Sequence, residues 1–129
     1  LEVLAEGQRR PITISGILFG RRRQRVVELN GYEIEFEPTG NLLLTSHEDV
    51  PGVLGYITTT LGENGLNIAT SHLSRKAPGG SAIAVFSLDS PVPSNIIKKL
   101  ANRKRGINDV KQILYGVKIY VHERSLPRL

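Results

Sequence analysis

The run Ser-Ala-Ile-Ala-Val-Phe-Ser-Leu at residues 81–88 is nearly all apolar. A continuous apolar run this short, bounded by turn signals, reads as a strand. It lacks the wet positions of an alternating strand, so it belongs at the centre of a sheet, buried on both faces. Its neighbours supply the rest of the layer. Residues 42–45 form a short apolar strand, and residues 48–52 a turn containing Pro51-Gly52. Residues 53–64 read as a helix with Val53 or Leu54, Ile57 and Leu61 on one face. Asp49 stands near its start as the expected N-cap, with Pro51 close to the first helical position and Gly65 as the left-handed stop. Thr58-Thr59-Thr60 is poor helix material, so packing has to hold this helix. Residues 66–74 are a second strand, and Ala77-Pro78-Gly79-Gly80 a turn. The stretch from Asp89 to Pro93 leads into a second helix whose buried stripe is Ile96, Ile97, Leu100 and Ala101. A loop at 103–109 and a last strand at 110–121, interrupted near Gly116, complete a β-α-β-β-α-β order. That order predicts an α+β, ferredoxin-like fold with both helices on one face of an antiparallel sheet.

The first forty residues are patterned differently. Residues 1–5 are weakly strand-like, and residues 12–19 are a better strand with Gly16 as the expected bulge. Residues 26–29 and 32–36 flank Asn30-Gly31, the pair that a two-residue hairpin turn favours because both central positions need positive φ. Tyr32, Ile34 and Phe36 alternate with Glu33, Glu35 and Glu37, which leaves this strand one wet face. Strands without a helix make a weak unit. The expected partition is therefore a β-rich segment at 1–40 that ends a larger substrate- or anion-binding domain, a domain at 41–122, and a loose polar tail at 123–129.

Charge and composition narrow the function. There is no cysteine, which removes disulfides, thiolate metal sites and a cysteine nucleophile. The net charge of +5 is concentrated in Arg21-Arg22-Arg23-Gln24-Arg25 and Arg103-Lys104-Arg105, beside Gly20 and Gly106 where turns are expected. Solvated turns account for both runs. Neither is interleaved with aromatic side chains, so the stacking platform of a nucleic-acid binder is missing and nucleic acid is not an expected partner. No apolar run approaches the roughly 20 residues of a membrane span, and no signal peptide is recognisable. The chain starts at Leu1 and contains no Met, so it is expected to be part of a longer cytoplasmic protein. His47, His72 and His122 stand at no zinc-motif spacing, and no phosphate-binding loop or nucleophile elbow is present. The chain is expected to have no catalytic residue, no metal and no cofactor of its own.

The segment His47-Glu48-Asp49-Val50-Pro51-Gly52-Val53-Leu54-Gly55, followed by Leu61-Gly62-Glu63-Asn64-Gly65-Leu66-Asn67-Ile68-Ala69, resembles the signature of the ACT domain family. The likeness continues through Gly79-Gly80-Ser81-Ala82-Ile83-Ala84 and Leu88-Asp89-Ser90-Pro91-Val92-Pro93. Within that family the chain is most similar to the C-terminal regulatory region of the D-3-phosphoglycerate dehydrogenases. Ile14 to Gly20 and Arg25 to Tyr32 resemble the end of the domain that precedes ACT in their long form. The resemblance implies allosteric control, by L-serine or another small amino acid, of an NAD-dependent enzyme of serine biosynthesis. It also implies a homo-oligomer formed through ACT pairing. The ACT module of the iron–sulfur L-serine dehydratases fits less well around Pro51 and 88–93. A dimerisation module without a ligand is a further alternative.

The residues suit such a sensor. Gly52 lets a ligand approach the backbone, and the unpaired amides at the start of the first helix, around Val53, favour a carboxylate. Asp49 is a charged acceptor for an ammonium group, and Asn67 offers both a donor and an acceptor. The resemblance assigns effector contacts to His47, Asp49 and Asn67, with Asn67 reached from the neighbouring subunit. It also brings Arg25 into a position comparable to a basic residue of an anion site, where Glu37 stands in place of a second one. Each residue also has a plainer role: Asp49 as a cap, Asn67 as a loop residue beside Gly65, His47 as an exposed turn histidine, and Gly52 as a packing glycine.

Overall fold

The computed structural model describes residues 2–3, 12–19 and 23–113. In the first sheet, β1 (Glu2–Val3), β2 (Ile12–Phe19), β3 (Arg23–Leu29) and β4 (Tyr32–Phe36) run antiparallel in that order. Asn30 and Gly31 turn β3 into β4 with φ of 49° and 81°, the two positive values the sequence demanded. The Asn30 side chain also accepts from the Thr13 amide at 2.8 Å, which ties the turn to β2. The register shifts between Ser15 and Gly16, and a Cβ on Gly16 would stand 3.0 Å from the Arg25 carbonyl oxygen. The bulge is therefore built on a close backbone approach.

The second sheet contains β5 (Asn41–Glu48), β6 (Ile68–Arg75), β7 (Ser81–Leu88) and β8 (Ile107–Ile113) in the order β6-β7-β5-β8, all antiparallel. Helices α1 (Val53–Glu63) and α2 (Ser94–Leu100) cover one face. This is the expected ferredoxin-like arrangement. Val53, Ile57 and Leu61 bury the inner face of α1 against Leu43, Ala84, Phe86 and Ile107. Each such aliphatic side chain contributes about 1.5–3 kcal/mol. The threonines of α1 remain helical by bonding backwards: Thr60 Oγ1 donates to the Tyr56 carbonyl at 2.7 Å, and Thr58 Oγ1 to that of Leu54 at 3.1 Å. Gln112 on β8 accepts from the Val92 amide at 2.6 Å and donates to its carbonyl at 3.1 Å, so the proline-rich lead into α2 is fastened to the sheet.

The other face of this sheet is covered by the first one. Ile14, Val26, Leu29, Ile34 and Phe36 form a single buried cluster with Leu42, Leu44, Ile83, Val85 and Ile113. This explains why residues 82–86 of β7 are all buried: helices close one side and strands close the other. The segments on either side of Gly40 therefore bury one another.

Several local expectations require correction. The N-cap of α1 is Gly52, and no side chain caps the helix. Asp49 is drawn instead toward Arg75 and Gly79. The 103–109 loop holds a 3-10 turn at Arg103–Arg105, and β8 already begins at Ile107. Ala101 is exposed and lies beyond the end of α2. Arg21 and Arg22, the continuation of the last strand over 114–121, and the tail at 123–129 lie outside the described residues.

Candidate effector-binding site

Three loops meet at one end of the second sheet. The β5–α1 loop is held from both sides: the Glu48 amide donates to the Gly106 carbonyl at 2.8 Å, and the Asp49 amide to that of Gly80 at 2.8 Å. The loop then turns through Gly52 at φ 91°, where a Cβ would meet nothing within 4 Å. Gly52 is exposed, and Val53 behind it is buried. The uncapped first turn of α1 thus opens on solvent through the residue that least obstructs an approaching group.

Asp49 accepts from Arg75 Nη1 at 2.9 Å and from the Gly79 amide at 3.3 Å. The Arg75 hydrogen bond, with the Gly79 amide adding to it, holds the Asp49 carboxyl below its ordinary pKa. Asp49 is therefore an ionised acceptor that already has a cation.

His47 is not an exposed turn residue. Its neighbours across the strands are Ala82 and Ile107, both fully buried, and His47 itself is 3% exposed. Its Nδ1 has no hydrogen-bond partner. Burial lowers the His47 pKa, and the Asp49 charge opposes this only in part. Burial therefore favours the neutral ring.

Asn67 is exposed, and it follows the far end of α1 from Gly52. Its Nδ2 donates to Asp89 Oδ2 at 2.8 Å, and its carbonyl accepts from the Asp89 amide at 3.1 Å. Within one chain, His47, Asp49, Gly52 and Val53 are gathered at one end of the fold, and Asn67 stands at the other. Arg25 lies on β3, where its Nε donates to Glu35 Oε1 at 2.8 Å.

Sequence reasoning missed the opposite flank of the β5–α1 loop. There Glu48, Val50, Pro51, Gly52, Val53 and Tyr56 face Lys104, Arg105 and Gly106 across a cleft of about 310 Å³. Gly106 has φ 83°, and a Cβ there would come within 3.1 Å of Val53 Cγ2. The Arg105 guanidinium lies 5.0 Å over the Tyr56 ring. The signal was the Arg103-Lys104-Arg105 run beside Gly106, which as sequence has the form of any solvated turn. Among the described residues, no group of three or more potential metal ligands occurs, and no helix is long and apolar enough to cross a membrane.

Residues 41–105 match the model of the ACT domain. The chain belongs to the ACT domain family. The ACT match starts at the first residue of β5 and ends within the 3-10 turn, so β8 completes the ACT sheet beyond it. Among proteins named D-3-phosphoglycerate dehydrogenase, the chain is 38% identical over 102 residues to that of Bacillus subtilis, which takes in 79% of this chain and 19% of the relative. It is 35% identical over 100 residues to that of Methanocaldococcus jannaschii, covering 78% of this chain and 19% of the relative. With that of Synechocystis sp. it is 31% identical over 119 residues, covering 92% of this chain and 21% of the relative. This ACT chain thus spans about a fifth of the length of the relatives it matches.

Proposed function

We propose that this ACT domain is a regulatory module that binds a small amino acid, L-serine, and so controls a cytoplasmic, NAD-dependent D-3-phosphoglycerate dehydrogenase of serine biosynthesis. NAD would belong to the parent enzyme, and this chain would carry no chemical step. The observation that supports the reading best is the open, uncapped turn at Gly52, whose φ of 91° and empty surroundings leave the first amides of α1 accessible to a carboxylate. Asp49 beside it supplies the negative charge for an ammonium group, which would take the place of the Arg75 guanidinium. Asn67 joins this site only from a second copy, since in one chain it lies beyond the far end of α1. Ligand binding and ACT pairing would therefore be coupled. Serine would shift the parent enzyme only as far as its affinity differs between two arrangements of the pair.

The experiment is calorimetric titration of the chain with L-serine, with glycine, L-alanine and D-serine as controls. Saturable L-serine binding at one site per domain or one per pair, lost in Gly52→Leu, is the expected result. Flat heats at millimolar serine, where a site of about 1 mM still registers, would remove serine as the ligand. Serine binding that survives Gly52→Leu would remove this turn as its site.

A further inference from the structure

The two flanks of the β5–α1 loop are electrically different. On the flank toward β6, Asp49 is neutralised by Arg75. Arg25 and Lys111 are likewise paired, with Glu35 and Asp109. On the flank toward β8, and among the described residues, Lys104 and Arg105 face the cleft without a carboxylate partner, and Glu48 across from them is without a cationic one. The backbone explains why two consecutive cations face one concavity. Asn102 Oδ1 accepts from the Lys104 amide at 3.1 Å and closes the 3-10 turn, and Gly106 then reverses the chain at φ 83°. Arg105 is held against the Tyr56 ring, and the Tyr56 hydroxyl donates to the Lys99 carbonyl at 3.5 Å. The guanidinium is thereby placed before any ligand arrives, which reduces the ordering cost of binding.

We propose that this cleft is a second binding site, for a small dianion that also carries an amino or hydroxyl donor. Two cations, one a planar fork and one a point charge, match the two negative charges of a phosphate ester or a dicarboxylate. Glu48 receives the ligand's donor. A volume of about 310 Å³ fits a molecule of metabolite size. The cleft shares the Gly52–Val53 turn with the proposed amino-acid site but none of its charged groups, since Asp49, Arg75 and Asn67 do not line it.

The test is calorimetry on the full chain at fixed ionic strength, with phosphoethanolamine, inorganic phosphate and succinate as probes. Lys104→Ala/Arg105→Ala should weaken binding of every probe that saturates by about tenfold or more, in a chain whose cooperative thermal unfolding shows that it is still folded. Glu48→Gln should act in opposite directions, weakening phosphoethanolamine and tightening succinate, which has no donor, because it removes an acceptor from one and a repulsion from the other. Phosphate bound in preference to succinate assigns the site to phosphoryl groups, and the reverse preference to dicarboxylates. Absence of saturation by all three probes, or affinities that the double variant leaves intact, would overturn the proposal.

Discussion

Asp49 and Arg75 meet at 2.9 Å across the mouth of the β5–α1 loop, although 26 residues separate them in the chain. The charge that recommends Asp49 as an ammonium acceptor is therefore already answered from β6. An ammonium bound at Asp49 would replace a half-exposed guanidinium, in a pair that solvent screens. Arg75→Gln should leave the unfolding temperature close to that of the wild type, because solvent screens the pair, while the Asp49 pKa rises toward its ordinary value of 3.8. Carboxyl-carbon NMR titration reads the second effect. If Asp49 receives the ligand's ammonium, L-serine binds the variant more tightly.

His47 carries a pH dependence whose sign follows from its burial. Its folded pKa lies below the ordinary 6.5, so the unfolded chain binds the proton more readily. The stability tied to the neutral ring is complete above about pH 6.5, and it declines as the pH falls from there toward the depressed folded value. Urea unfolding at pH 7.5, 6.0 and 5.0 should show this loss in the wild type and a shallower one in His47→Leu. The Leu variant also replaces a buried nitrogen that has no partner, so it should cost little at pH 7.5. Equal slopes for the two proteins would place His47 in solvent.

Two left-handed glycines flank the same loop with different surroundings. Gly52→Ala should cost about 1–2 kcal/mol from the backbone conformation alone, since a Cβ there meets nothing within 4 Å. Gly106→Ala pays the same backbone term and also crowds Val53 Cγ2 at 3.1 Å and Glu48. It should therefore be the more destabilising of the two in thermal unfolding. The reverse order would show that the α2–β8 loop yields more easily than its packing implies.

The shared core predicts that residues 12–36 and 41–113 unfold together. Phe36, 3% exposed within the inter-sheet cluster, should cost about 3–5 kcal/mol when replaced by alanine. A chain beginning at residue 41 would uncover Leu42, Leu44, Ile83, Val85 and Ile113. It should bind a hydrophobic dye and melt at a lower temperature than the full chain. A truncated chain that neither binds dye nor loses stability would show that the first sheet is dispensable to this core.

Local periodicity, turn chemistry and a family signature made much of the molecule readable from sequence. The Asn30-Gly31 hairpin, the bulge at Gly16, the α1 face of Val53, Ile57 and Leu61, and the βαββαβ order each depend on residues close together in the chain. There backbone sterics and the helix or strand period leave few choices. The signature around Pro51-Gly52 and Asn67 pointed to the ACT family for the same reason, as it is a local pattern.

The electrostatic environment of the loop was not readable in this way. Whether Asp49 caps a helix or meets Arg75, whether His47 faces water or Ile107, and whether Lys104 and Arg105 face a cleft depend on strand register and sheet order. A shift of one residue in β5 would move His47 to the other face of the sheet. The buried apolar run at 81–88 required a cover on both sides, but it did not specify what supplied the second. Only the tertiary structure assigned that role to β2, β3 and β4, because burial is settled by contacts between segments far apart in the chain, while sequence pattern reports only on neighbours.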